Sequence, residues 1–113
     1  MRYPIMISLI SLLVLVSCKK QTSDSQIPAC IETSINDFKN SSCETGAIVK
    51  QYSFQHKLVY SFYLGDCGAD LALLIYDSDC NYLGAVGGIT GETTLLNGES
   101  FSTATYLKTV WQR

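Results

Sequence analysis

Apolar residues fall along this chain in three rhythms, and each predicts a different kind of segment. From Ile5 to Val16 they run almost without interruption. Such a run is short for a spanning helix, because about 20 apolar residues at ~1.5 Å rise are needed to cross ~30 Å of hydrocarbon. Following the single basic residue Arg2, it reads as the hydrophobic part of an export signal. The stretch from Lys19 to Gln26 (KKQTSDSQ) then has no apolar side chain to bury, so it reads as a flexible tether.

From Ile27 the rhythm becomes helical. Ile27, Ile31, Ile35 and Phe38 recur every three or four positions with Glu32, Thr33, Asn36 and Asp37 between them, which predicts one amphipathic helix. Pro28 suits its first turn, where no intrahelical N–H is required, and Asn40-Ser41-Ser42 ends it. From Ala47 to Leu64 the residues become Ile, Val, Tyr and Phe, broken near Gln55-His56-Lys57, which predicts two strands and a short turn. Tyr52, Phe54, Tyr60 and Phe62 are expected to share one face. A second hairpin runs from Leu71 to Tyr76, turns through Asp77-Ser78-Asp79-Cys80-Asn81 and returns from Tyr82 to Val86. Gly87-Gly88-Ile89-Thr90-Gly91 opens a loop that reaches Asn97-Gly98, and the β-branched and aromatic stretch from Thr105 to Trp111 reads as a fifth strand. The predicted class is α+β: one N-terminal helix packed on one face of a four- to five-stranded antiparallel meander sheet.

Leu15-Val16-Ser17-Cys18 resembles the lipobox of bacterial lipoproteins, in which a lipoprotein signal peptidase cuts just before an acylated cysteine. A thioether to diacylglycerol needs a soft nucleophile, which makes the thiol obligatory. The resemblance implies a signal peptide over residues 1–17, a lipidated Cys18 with its tether over 18–26, and one small domain over 27–113. Several acyl chains, at ~0.8 kcal/mol per buried CH₂, hold a protein on a bilayer far better than one. The first expected partner is therefore the membrane itself, through the N-terminal lipid. Lys19 stands where some bacteria use Asp to retain a lipoprotein on the inner membrane, so the resemblance favours the outer membrane of the cell envelope.

Lipidation would remove Cys18 from the thiol pool and leave Cys30, Cys43, Cys67 and Cys80, an even number in a small exported domain. Disulfides are the expectation. The gaps between neighbouring cysteines are too wide for the usual zinc ligand pairs, so no metal is expected. A helix leading into the first strand sets Cys43 where the second strand finishes, near Cys67. Cys30, at the helix's other end, then lies by the second hairpin turn with Cys80. Of the three connectivities this layout favours Cys43–Cys67 and Cys30–Cys80.

Charge removes further classes. The chain carries a formal net charge of −2, and Arg2, Lys19 and Lys20 all precede Ile27, so the domain itself is more acidic still. With no basic stripe to neutralise phosphates, no nucleic acid is expected as a partner. Asp77, Asp79 and Asn81 are spaced like the start of a helix-loop-helix calcium loop. Tyr82 stands where that loop needs glycine, however, and Gly88 where it needs a bidentate Glu, so an Asp-rich turn is the reading. Asp66 and Asp70 are expected at one end of the sheet and Asp77 and Asp79 at the other, about 17 to 20 Å apart. No acid pair of the kind used in glycoside hydrolysis spans both ends, which leaves a dyad within either pair as the one carboxylate arrangement still open. His56, the only histidine, falls in a turn, and Ser53 and Ser61 have no nucleophile elbow around them. The Gly84–Gly91 segment lacks the Gly-Lys-Ser/Thr ending of a phosphate loop, and Glu92 follows it. No catalytic residue and no cofactor is expected.

I-P-x-C-I at 27–31, Y-x-F-Q at 52–55, C-G-A-D at 67–70, Y-D-x-x-C-N-x-L-G at 76–84, G-G-I-x-G at 87–91 and V-W at 110–111 together resemble a family of small bacterial lipoprotein domains of unknown function. The resemblance covers nearly all of 27–113 and implies a fold unit, without catalytic or binding residues. The expected function is a non-enzymatic envelope module that contacts a protein or glycan through a tyrosine-rich sheet face left open by the helix. The alternatives are a small inhibitor of an envelope protease or lysozyme and, further off, a small hydrolase.

Overall fold

The computed structural model describes residues 27–88 and 95–113. The export run, Cys18 and the tether lie outside the described residues, as does most of the glycine loop after Gly88. Among the described residues, no helix is long and apolar enough to cross a membrane.

Helix α1 spans Ala29–Ser41 and buries Ile31, Ile35 and Phe38, the stripe its spacing predicts. Pro28 is its N-cap, and the Pro28 carbonyl accepts from the N–H groups of Ile31 (2.9 Å) and Glu32 (3.0 Å). At the other end, the guanidinium of Arg113 donates to the Lys39 carbonyl at 3.1 Å and to Ser42 Oγ at 3.3 Å. The last residue of the chain thus satisfies a helix carbonyl and places positive charge at the C-terminal end of the dipole.

Strands β1 (Ile48–Phe54), β2 (Lys57–Tyr63), β3 (Leu73–Asp77) and β4 (Tyr82–Val86) form an antiparallel meander. A short hairpin of β5 (Leu95–Leu96) and β6 (Glu99–Ser100) and a 3₁₀ turn (Phe101–Thr103) come next. Strand β7 (Thr105–Gln112) then pairs antiparallel with β1, so the sheet order is β4-β3-β2-β1-β7. The helix-on-antiparallel-sheet architecture is the one the sequence predicts; the fifth strand joins the first strand rather than extending the fourth.

One expectation is corrected. Tyr52 and Phe54 do not share a face with Tyr60 and Phe62. The β1–β2 turn contains two residues, Gln55 and His56, both at positive φ (51° and 61°), and Phe54 pairs directly with Lys57. A three-residue turn would match even positions with even; a two-residue turn matches even with odd, and cross-strand partners share a face. Tyr60 and Phe62 therefore sit opposite Gln51 and Val49 under the helix, whereas Tyr52 pairs with Val59 on the other side.

The sheet has a core on each face in consequence. On the helix side, Ile31, Ile35 and Phe38 pack on Val49, Tyr60 and Phe62. Phe38 meets the rings of Phe62 and Trp111 edge-on, with centroids 5.2 Å and 5.8 Å away. Tyr60 is fully buried and its hydroxyl accepts from Gln51 Nε2 at 3.0 Å, so two buried polar groups satisfy each other. On the opposite side, Phe54, Val59 and Ile75 are covered by Leu96 and Phe101. This corrects a second expectation, that the helix-free face stands open: the β5–β6 hairpin and the 3₁₀ turn, through Leu96 and Phe101, close the half nearest the β1–β2 turn. The side chain of Gln55 ties the two turns together, donating to the Leu96 carbonyl at 3.1 Å and accepting from Asn97 Nδ2 at 3.3 Å.

Gly84 shows why the glycines are there. Its φ is +151°, and an added Cβ would lie 2.5 Å from Leu96 Cδ2. Gly65 is tighter still: at φ +113° a Cβ would strike the Thr45 carbonyl oxygen and come within 2.8 Å of Cys43 Cβ. Gly65→Ala should cost about 1–3 kcal/mol in strain, visible as a lower urea midpoint with an unchanged slope.

Candidate functional site

Both expected disulfides are present, Cys30–Cys80 and Cys43–Cys67, with Cα atoms 6.1 Å and 5.5 Å apart. The backbone explains each. Leaving the helix, the chain bonds Cys43 N–H to the Leu64 carbonyl (2.8 Å) and Asp66 N–H to the Thr45 carbonyl (3.0 Å), which lays the end of β2 beside Cys43. At the other end of the domain the β3–β4 turn reaches the first turn of α1. There Ser34 Oγ, 3.7 Å away, donates to Cys80 Sγ, since a bridged sulfur has no proton.

The acidic turn is accounted for by its own backbone. Asp77 Oδ1 accepts the N–H groups of Asp79 and Asn81, both at 2.9 Å, and Oδ2 accepts Asn81 Nδ2 at 3.0 Å. This is how Asp stabilises a turn without a metal. Slight burial opposes ionisation of Asp77, but the bonds from the Asn81 side chain and from the Asn81 and Asp79 backbone, with Lys57 nearby, outweigh it. The pKa ends below the ordinary 3.8. A carboxylate with a depressed folded pKa stabilises above its unfolded pKa, and that stability is lost as pH falls through the folded value. Asp77→Ala should therefore cost about 1 kcal/mol at neutral pH, the size of a hydrogen-bond contribution at an exposed site. It should also flatten the fall in stability below pH ~4, as read from urea midpoints across a pH series.

The remaining candidates are scattered. Asp66 and Asp70 lie in the β2–β3 connection, while Asp77 and Asp79 lie at the far end of β3. His56 occupies the β1–β2 turn, whereas Ser61 is 1 % exposed within β2 on the face opposite the helix. Ser53 pairs with Leu58 and Thr105. Gly84 is a strand residue making room for Leu96. Among the described residues, no three His, Cys, Asp or Glu side chains are grouped to hold a metal.

What the structure brings together is a groove. Ile48, Lys50 and Tyr52 of β1, Ser61 and Tyr63 of β2 and Leu73 of β3 line a hollow of about 270 Å³ on the half of the helix-free face that Leu96 and Phe101 leave uncovered. Tyr52 separates it from the second core by packing on Phe101, with centroids 5.0 Å apart. Tyr106 of β7 stands at its edge, 52 % exposed, in edge contact with Tyr52 at 5.9 Å. The Lys50 ammonium lies 5.8 Å from the Tyr106 ring centroid, in cation–π range. Among the described residues, Tyr52, Tyr63 and Tyr106 are the part of the expected tyrosine face that stays accessible. Lys50 escaped the sequence reading because a lone lysine in a strand gives no motif. Its alternation with Ile48 and Tyr52 was the available signal.

Helix, antiparallel sheet and two staples define the class: a small disulfide-stabilised α+β domain, whose oxidised cysteines suggest an extracytoplasmic location. The chain belongs to the DUF6970 family, a domain of unknown function, which it matches over residues 36–113. The match begins within α1, so the Cys30–Cys80 bridge ties the first half of the helix to the matched region. No curated protein and no solved structure matches the chain.

Proposed function

We propose that this protein is a lipid-anchored, non-enzymatic contact module of the bacterial envelope, held by Cys18 on the outer membrane and meeting a protein or glycan partner through its open half-sheet. The observation that carries the reading is the pair of disulfides. They suit an oxidising compartment, and the export run and lipobox-like Leu15-Val16-Ser17-Cys18 provide the route to one. The tether over residues 19–26 spans at most about 30 Å when fully extended, so the partner lies close to the membrane surface. Separation of the acid pairs, with His56 in a turn, argues against hydrolysis; an accessible groove with tyrosines argues for contact.

Mass spectrometry of envelope-derived protein should find a diacylglyceryl thioether on an N-terminal Cys18. An unmodified Cys18 in a longer chain overturns the anchor. Pull-down from detergent-solubilised envelope should recover a stoichiometric partner, and a protease or lysozyme as that partner would make the module an inhibitor. Turnover of a substrate by the pure protein overturns the non-enzymatic reading.

A further inference from the structure

We propose that the Lys50 groove binds an acidic peptide segment of a protein partner, seating one bulky apolar side chain between Tyr63, Tyr52 and Leu73 and a neighbouring carboxylate on Lys50 Nζ. The inference rests on the contact-module reading and names the partner's chemistry.

Size and lining favour a side chain over a sugar. The hollow of about 270 Å³ falls just below the ~300–1,000 Å³ of sites that enclose a small-molecule ligand, but it suits one anchor residue of the kind that dominates protein interfaces. Its walls are formed by Ile48, Leu73, Tyr52 and Tyr63, with Lys50 and Ser61 as the other lining residues. A glycan ring would press hydroxyl groups against Ile48 and Leu73 and leave them unbonded, at a cost an apolar side chain does not meet.

Charge selects the rest of the ligand. Lys50 is half-buried, and its cross-strand neighbours Ser61 and Thr109 are uncharged, as are Ile48 and Tyr52 on the same face of its strand. Among the described residues no carboxylate pairs with it, and the Tyr106 ring is the group that faces its charge. An ammonium without a counter-ion gains from an incoming carboxylate, whereas a second cation would be repelled. Exposed Tyr106, in contact with Tyr52 and Lys50, extends the patch beyond the groove and supplies a rim that shields the pair from water.

A random heptapeptide library displayed on phage, panned on the detergent-solubilised full chain, tests this. The wild-type protein should enrich peptides with Asp or Glu beside Leu, Phe or Trp. Synthetic copies of these peptides should bind at least tenfold more weakly to Lys50→Gln, and Lys50→Glu should enrich Lys- or Arg-bearing peptides instead. Tyr63→Ser should weaken binding to a similar extent while circular dichroism and both disulfides stay unchanged. Peptides without a charge preference, or peptides whose binding ignores Lys50→Gln, overturn the proposal. So does failure to enrich any peptide, or saturable binding of soluble muropeptide fragments that is lost in Lys50→Gln. If the envelope pull-down still recovers a partner in those cases, the contact-module reading survives and the assignment of this groove fails alone.

Discussion

Phe101→Ala is expected to destabilise the domain by about 3–5 kcal/mol, the range for emptying a buried aromatic site. In a connecting loop that ranked as surface, the same change would fall within about 0.5 kcal/mol. The difference follows from where the ring sits. Phe101 is 7 % exposed, packs edge-on against Tyr52 and Phe54 with centroids 5.0 Å and 5.5 Å away, and with Leu96 covers Val59 and Ile75. Its loss removes the lid from the second core and leaves apolar strand residues facing water. Urea denaturation of the oxidised protein should show a lower midpoint. Dye binding to exposed apolar surface should rise in Phe101→Ala and stay at the wild-type level in Ser102→Ala, an exposed neighbour in the same turn. Equal behaviour of the two variants would mean that the helix-side core alone sustains the fold.

Breaking the disulfides is the second large expected effect. The bridges close separations of 50 and 24 residues, for which loop-closure entropy predicts contributions of about 4 kcal/mol for Cys30–Cys80 and about 3.5 kcal/mol for Cys43–Cys67. A domain of this size has a total stability of only about 0.05–0.15 kcal/mol per residue, so losing both should leave the chain largely unfolded at 37 °C. Cys30→Ser with Cys80→Ser should free the first turn of α1 from the β3–β4 turn. Cys43→Ser with Cys67→Ser should loosen the opposite end of the sheet. Hydrogen exchange would locate each change, and urea midpoints would rank them, with the longer loop costing more. A fully reduced protein that keeps its wild-type midpoint would show that the two cores suffice and that the oxidising compartment is not a condition of folding.

The local pattern was a good guide wherever one periodic signal had one structural meaning. Ile31, Ile35 and Phe38 could line up on only one face of a helix, and the stretches before and after Asp77–Asn81 could pair only as a hairpin. Disulfide pairing was legible for a related reason: end-to-end placement of α1 against the first two strands puts Cys43 and Cys67 at one end, and the β3–β4 turn carries Cys80 to the other. The tyrosine face was only half legible. Its members depended on the length of one turn, and the apparent break at Gln55-His56-Lys57 is one residue longer than the turn the backbone makes. Because side chains alternate, that single residue exchanges Tyr60 and Phe62 for Val59, Ser61 and Tyr63 on the groove side.

By itself, then, the sequence determined the helix, the strands, the staples and the acidic balance, since each depends on spacing within a few residues or on counting. Tertiary structure decided which face each aromatic residue serves, where the last strand joins, and that the β5–β6 hairpin and 3₁₀ turn, carrying Leu96 and Phe101, close half of the sheet. These are contacts between residues some forty positions apart in the chain, such as Gln55 with Leu96 and Asn97. No periodicity encodes them, because they arise only when apolar surface left over from one layer finds the next. Lys50 acquired its groove in the same way: β1 supplied the residue, and the uncovered half of the sheet supplied its surroundings.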